Sequence, residues 1–183
     1  VRYTKRGQYE GFVKEKGVAP RSKTETYFHI TAHIDNERWK GVPFFLESGK
    51  GMAESKAEII IHFKQLDTCL CPPEKEISHQ NILTFLIQPD EDISLRLWSK
   101  KPGFDFNLKA RQFSFSYRES ADEKKLPDAY ERILFDCIRG DQTLFASTDE
   151  VMAAWKFITP IISGWESAPF IEYKNNDDLF DIK

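Results

Sequence analysis

The stretch Arg111-Gln112-Phe113-Ser114-Phe115-Ser116-Tyr117 decides the fold class. It sets Phe113, Phe115 and Tyr117 on one face and Gln112, Ser114 and Ser116 on the other. That period of two is the mark of a strand with one buried face. Toward the N-terminus the pattern returns. Ile93–Trp98 opposes Ile93, Leu95 and Leu97 to Ser94, Arg96 and Trp98, while Asn81–Gln88 is apolar on both faces, as a central strand should be. Ala57–Phe63 aligns Ala57, Ile59, Ile61 and Phe63. Val42–Leu46 is a short apolar run stopped by Gly49 and Gly51. Thr24–Ile34 sorts Phe28, Ile30, Ala32 and Ile34 from Tyr27, His29, Thr31 and His33, and Asp35-Asn36 supplies a turn. The residues before about Ser22, with Gly7, Gly11, Gly17 and Pro20, read as an irregular arm.

Toward the C-terminus the period changes. Pro127-Asp128 opens a helix whose stripe is Ala129, Tyr130, Ile133, Leu134, Cys137 and Ile138, and Gly140 ends it. A second helix starts at Ser147, with Glu150 completing a capping box, and Pro160 is expected to break or kink it. The tail from Lys174 reads as polar and frayed. Strands first and helices late predict an α+β fold: a large, mostly antiparallel sheet with helices packed on one face. The other face, with Tyr27, His29, Ile60 and Trp98, is left to solvent or a partner.

A length of 183 residues predicts a single domain over 1–183. The chain carries 26 basic and 29 acidic residues, a net charge of −3, which gives no general field for nucleic acid or an anionic membrane. No apolar run approaches membrane-spanning length. Cys69, Cys71 and Cys137 are odd in number, and Cys69 and Cys71 lack a C-x-x-C spacing, so they read as free thiols of a reducing cytoplasm. No targeting pattern opens the chain, and a start on Val1 is expected of a chain cut from a longer one.

Gly49-Lys50-Gly51 is the most suggestive local feature. Flanking glycines permit tight turns and close approach to a ligand, and a lysine offers three donors to an anion or a sugar hydroxyl. Phe44 and Gly51 occupy the places where a Walker loop needs Gly and Ser or Thr, so this is not a P-loop. Taken alone, Lys50 reads as a solvated loop lysine. His29 and His33 share a face but stand about 13 Å apart, too far to chelate one metal. Neither G-x-S-x-G nor G-x-G-x-x-G is present, so neither a nucleophile elbow nor a dinucleotide fingerprint is available. No metal is expected. Asp35 with Glu37, and Asp177 with Asp178, read as solvated pairs.

Ordered segments then add up to a family. Arg6–Tyr9, Thr24–Thr26, Ile34–Phe44, Ser48–Lys50, Ala57–Ile59, Ile87–Pro89, Lys101–Gly103, Leu126–Arg132 and Asp149-Glu150 resemble the C-terminal domain of glucose-6-phosphate dehydrogenase. The runs Asp35–Phe44 and Leu126–Arg132 are the most specific. The resemblance implies a large antiparallel sheet and participation in oxidising glucose 6-phosphate to 6-phosphogluconolactone, with hydride passing to NADP or, in some members, NAD. This is the entry to the pentose phosphate pathway. It implies a homodimer built with the open sheet face, and an N-terminal Rossmann domain, absent from these residues, that holds the coenzyme and the catalytic histidine. It assigns no catalytic residue here. It places Lys50 against the sugar phosphate and Gln88 near the sugar. The family's second basic residue falls at Ser55, so either Lys56 substitutes or that contact is missing. Arginines of the structural NADP site of some animal members fall at Glu47 and Leu86, which cannot replace cations that bind a phosphate. The tail lacks the family's glycine-rich ending after Tyr173. The alternative is a stand-alone, sheet-based binding or assembly module without catalysis.

Overall fold

A computed structural model of the chain describes residues 3–65, 79–117 and 129–175. In chain order its elements are β1 (Thr4–Tyr9), β2 (Tyr27–His33), β3 (Pro43–Gly49), β4 (Ala57–His62), β5 (Ile82–Gln88), β6 (Asp92–Lys100), β7 (Leu108–Ser116), α1 (Ala129–Arg139), α2 (Thr148–Gly164) and β8 (Phe170–Tyr173). The class is α+β. The chain divides into two compact units: Val1–Glu54 with Gly140–Lys183, and Ser55–Arg139. Each holds one four-stranded sheet, and every pairing is antiparallel except that of β1 with β8.

In the first unit the order is β3-β2-β1-β8. The arm expected to be irregular up to Ser22 is therefore wrong over Thr4–Tyr9, which is an interior strand. Its alternation is hidden because Arg6, Gly7 and Gln8 are all buried. The Arg6 terminal nitrogens and the Gln8 amide find partners locally, while among the described residues Arg6 Nε is buried without one. Arg6 Nη1 donates to Glu25 Oε1 at 2.7 Å, and Gln8 Nε2 donates to the carbonyls of Ser22 (3.1 Å) and Thr24 (3.0 Å). Gly7 is required by contact: a Cβ there would stand 2.6 Å from the Ile171 carbonyl oxygen. Strand β8, not anticipated, runs parallel to β1, pairing Arg6 with Phe170 and Tyr9 with Tyr173. The buried apolar residues of this unit are Tyr27, Ile30, Trp165 and Tyr173. The Trp165 indole N–H donates to Thr4 Oγ1 at 2.8 Å.

The capping box of α2 forms as expected. The Glu150 N–H donates to Ser147 Oγ, and Glu150 Oε2 accepts from the Ser147 N–H at 2.7 Å. Pro160 does not end this helix, which continues to Gly164. The ring removes one donor toward the preceding turn. Pro160 is exposed, so water can reach the freed carbonyl side of the helix.

In the second unit the order is β4-β5-β6-β7, and register stacks like on like. Ile59, Phe85, Ile93 and Phe115 form one row across the sheet, and Ile61, Leu83, Leu95 and Phe113 form the next. The opposite face carries Ile60, Thr84, Ser94 and Ser114. Such cross-strand pairs fix the register, since a slip of one residue would exchange the faces. Helix α1 ends before Gly140, whose φ of +67° suits a glycine stop. The residues expected to open it, Pro127 and Asp128, lie outside the described residues, as do Cys69, Cys71 and the tail beyond residue 175. Asp136 is buried and accepts from Arg132 Nε at 3.0 Å, one turn away.

Candidate functional site

Lys50 follows the last residue of β3 in the first unit. Its two glycine neighbours are required for different reasons. Gly51 has φ +66°, and a Cβ there would meet Asn175 Oδ1 at 2.5 Å. Gly49 has ordinary strand geometry, but its Cβ would stand 2.6 Å from Met52 Sδ and 3.2 Å from Tyr27 Cδ2. The tight turn is present at Gly51, and the close approaches at both glycines are to this chain's own side chains.

The Lys50 peptide is held on both sides. Its N–H donates to the Thr26 carbonyl at 2.8 Å. Its carbonyl accepts from the Tyr173 hydroxyl at 2.7 Å. The side chain itself is exposed, and among the described residues its ammonium makes no ion pair or hydrogen bond. A cation on a fixed backbone is thus available to an anion from solvent.

Three of the family-like segments converge here. The Thr26 N–H donates to the Gly7 carbonyl at 2.9 Å, and the Tyr9 N–H donates to Thr26 Oγ1 at 3.0 Å. Arg6–Tyr9, Thr24–Thr26 and Ser48–Lys50 therefore form one bonded patch. Tyr27, Tyr9, Tyr173 and Glu47 share a sheet face, as alternation along paired strands requires. The Tyr27 hydroxyl donates to Glu47, and His29 Nδ1 lies 3.7 Å from Glu47 Oε2. Burial first, then the Glu47 carboxylate, pushes the Tyr27 phenol well above its ordinary range. The Tyr9 phenol is pushed up to about 12, chiefly by its hydrogen bond to Glu15.

Lys56 and Gln88 belong to the second unit. Lys56 immediately precedes β4, with its Nζ 3.0 Å from Glu58 Oε1. Gln88 ends β5 opposite Ala57, where the register shifts, and the Gln88–Pro89 peptide is cis. Both residues are exposed at the same end of that sheet. Sequence reasoning missed Tyr173 and Asn175 as neighbours of Lys50, since more than 120 positions separate Lys50 from Tyr173 in the chain, a separation of 123. The short, largely apolar run Phe170–Tyr173 was the available signal.

The histidines form no shared site. His29 faces Glu47 and Phe45, and His79 meets the Trp98 ring edge-on at 4.6 Å. Among the described residues no group of three or more His, Cys, Asp and Glu is placed to hold a metal ion. Cys137 is an exposed free thiol. Among the described residues no helix is long and apolar enough to cross a membrane.

Comparison with known proteins completes the description. The family model described as glucose-6-phosphate dehydrogenase, C-terminal domain, matches residues 2–178. Over 154 residues the chain is 46% identical to a glucose-6-phosphate 1-dehydrogenase of Aggregatibacter actinomycetemcomitans, covering 84% of this chain and 30% of that protein. It is 42% identical to the one from Mycolicibacterium smegmatis, covering 86% of this chain and 32% of that protein. The chain thus spans about a third of the length of these relatives. A crystal structure of glucose-6-phosphate 1-dehydrogenase from Mycobacterium avium superposes with a TM-score of 0.80 at 27% identity, covering 96% of this chain and 36% of that one. A glucose-6-phosphate dehydrogenase in complex with its substrate glucose-6-phosphate also gives 0.80, at 29% identity, covering 97% of this chain and 38% of that one. The chain belongs to the glucose-6-phosphate dehydrogenase family, within the part that the family's C-terminal domain describes.

Proposed function

We propose that this chain is the substrate-facing part of a glucose-6-phosphate dehydrogenase. In the complete protein, glucose 6-phosphate loses a hydride from C1 and a proton from the C1 hydroxyl, leaving the lactone carbonyl. NADP accepts the hydride. By the family resemblance, the coenzyme and the general base belong to an N-terminal Rossmann domain that pairs with this chain, in keeping with the lack of a dinucleotide fingerprint in residues 1–183. Glu47 and Leu86 do not suit the phosphate of a structural NADP.

Lys50 binds and orients the sugar phosphate. The observation that carries this reading is its exposed ammonium on a turn whose peptide is clamped at 2.8 and 2.7 Å. A charge pair near 4 Å is worth about 4 kcal/mol at a surface-like dielectric, before desolvation is subtracted. Fixing the backbone reduces the ordering left to do when substrate arrives. Lys56, in place of a basic residue at Ser55, and Gln88 are further contacts to the same substrate. A sheet face forms the homodimer surface in this reading, though the residues expected on it divide between the two sheets, Tyr27 and His29 on the first and Ile60 and Trp98 on the second; the enzyme is cytoplasmic, a reading supported by the odd cysteine count without C-x-x-C spacing.

The test is steady-state turnover of glucose 6-phosphate with NADP by the full-length protein, its Lys50→Ala variant and the isolated 183 residues. Lys50→Ala should lower kcat/KM by about 1–3 kcal/mol, the loss of one charged hydrogen bond. The isolated chain should not turn over. Unchanged kinetics in Lys50→Ala removes it from the site, and turnover by the isolated chain shows that the catalytic machinery lies within it.

A further inference from the structure

Tyr173 is buried at 3% exposure, yet its hydroxyl is the most connected side-chain group near Lys50. It lies 2.7 Å from the Lys50 carbonyl, 2.9 Å from Thr26 Oγ1 and 3.1 Å from the Thr26 carbonyl. A phenol has one proton to donate. The shortest of these contacts assigns it to the Lys50 carbonyl. Thr26 Oγ1 already accepts the Tyr9 N–H at 3.0 Å, so its own proton is free to point at the Tyr173 oxygen. A directed chain results: Tyr9 N–H to Thr26 hydroxyl, Thr26 hydroxyl to Tyr173 hydroxyl, Tyr173 hydroxyl to Lys50 carbonyl. Bonds ordered in one direction polarise one another. The loop closes through the Lys50 N–H, which returns to the Thr26 carbonyl at 2.8 Å.

The ring is held independently of the hydroxyl. It meets Tyr27 at 5.8 Å and Tyr9 at 6.2 Å between centroids, both edge-on. Register brings β8 beside β1 so that Tyr173 opposes Tyr9, and the missing side chain of Gly7 leaves room next to Ile171. The tyrosine ring therefore packs by its edges, and the hydroxyl has one task left: to reach under the Gly49–Gly51 turn. Tyr9 and Tyr27, on the same face, send their hydroxyls elsewhere, to Glu15 and Glu47.

We propose that Tyr173 is a positioning residue for the reaction, acting through the Lys50 carbonyl to fix where the Lys50 ammonium meets the phosphorylated sugar. The proposal rests on the reading that Lys50 contacts glucose 6-phosphate. Tyr173 does not touch substrate. Its loss changes how well Lys50 is pre-set, and so acts on sugar-phosphate binding rather than on coenzyme binding.

The test is a double-mutant cycle in the full-length protein, with Tyr173→Phe, Lys50→Ala and the pair. Tyr173→Phe keeps the ring and removes only the hydroxyl. It should raise the KM for glucose 6-phosphate about 3–10-fold, the size of one lost net hydrogen bond, with the KM for NADP unchanged and kcat altered less than about twofold. In the Lys50→Ala background the same substitution should have no effect on KM. An equal effect in both backgrounds makes Tyr173 merely structural and overturns the proposal. So does a normal KM in Tyr173→Phe when Lys50→Ala raises it, and that result leaves the Lys50 reading standing. A normal KM in Lys50→Ala sinks the substrate reading itself, and the proposal with it. Thr26→Val, which removes the hydroxyl feeding Tyr173, is the second variant if Tyr173→Phe does not fold: non-additivity with Lys50→Ala supports the proposal and additivity overturns it.

Discussion

Gly51→Ala should loosen the Lys50 turn without altering any charge. Gly51 has φ +66°, in the left-handed region, where a Cβ costs about 1–2 kcal/mol. The new Cβ would also stand 2.5 Å from Asn175 Oδ1. That oxygen ends a short side chain, so the amide swings aside at about 0.5–1.5 kcal/mol of rotamer strain. Together the strain is about 1.5–3.5 kcal/mol, and it is released when the turn opens. Opening breaks the 2.8 Å bond from the Lys50 N–H to Thr26, so native-state amide exchange at Lys50 in the full-length protein reads it directly. Protection there should fall by a factor of roughly 10–300. Gly41→Ala is the control. Its φ is +81°, with nothing within 4 Å of a Cβ, so it carries the backbone penalty alone and leaves the Lys50 amide unaffected. Asn175→Ala, added to Gly51→Ala, should restore only the crowding part. Unchanged protection at Lys50 in Gly51→Ala refutes the reasoning, because the strain would then have gone elsewhere.

Arg6→Ala should cost about 1–3 kcal/mol in denaturant unfolding, since it removes a buried arginine's bond to Glu25, just ahead of β2, although 28% exposure of the Glu25 side chain allows partial rehydration; a loss below about 0.5 kcal/mol counts against the Arg6–Glu25 pair. Ser147→Ala should remove about 1 kcal/mol of helix stability, read as a lower thermal midpoint. Its pH dependence has a definite sign. The Ser147 backbone N–H first, and then its hydroxyl, hold the Glu150 carboxyl below the usual range. That contribution is present above the ordinary carboxylate pKa and is lost as pH falls through the depressed one; Ser147→Ala removes only the hydroxyl's share of it, so the gap between the two midpoints should narrow in acid without closing, the uncharged Ser147 Oγ cap on the Glu150 N–H remaining; a gap that widens in acid contradicts the Ser147–Glu150 contact. Tyr27 has the opposite sign. Its phenol stays protonated in the fold while the unfolded phenol ionises near about 10, so stability is lost as pH rises above that value. Tyr27→Phe should flatten this alkaline limb in a series of denaturation curves, and an unchanged limb argues against the Glu47 bond.

The strands of the second sheet were legible because each obeys one rule. Ile59 and Ile61 on β4, and Phe113 and Phe115 on β7, keep their apolar side on one face, and the register aligns those sides. Helix α2 was legible at its start, where Ser147 and Glu150 satisfy each other; of the break or kink expected at Pro160, the break does not occur, and the helix runs on to Gly164. β1 was illegible for the opposite reason. A strand interior to its sheet usually advertises itself with aliphatic side chains, whereas Arg6 and Gln8 bond to groups from Ser22–Glu25 and Gly7 lies against Ile171 of β8, all outside the strand. No local window contains both halves of that arrangement.

The same distinction governs the candidate site. Lys50 could be singled out because the demands on its neighbours are local: a left-handed φ at Gly51 and a crowded approach at Gly49 leave glycines in the sequence. The group that grips its carbonyl could not, because Tyr173 earns no motif of its own and reaches Lys50 only through the parallel pairing of β8 with β1. Once that pairing exists, the segments Arg6–Tyr9, Thr24–Thr26 and Ser48–Lys50 are no longer three separate signatures. They are successive links around one turn, with Gly7 admitting β8, Thr26 bonding Gly7, Tyr9, Tyr173 and Lys50, and Gly49 and Gly51 giving the turn its shape. On the proposed reading of Lys50, substituting any link should shift its ammonium group, and residues that never meet the substrate should share its kinetic signature.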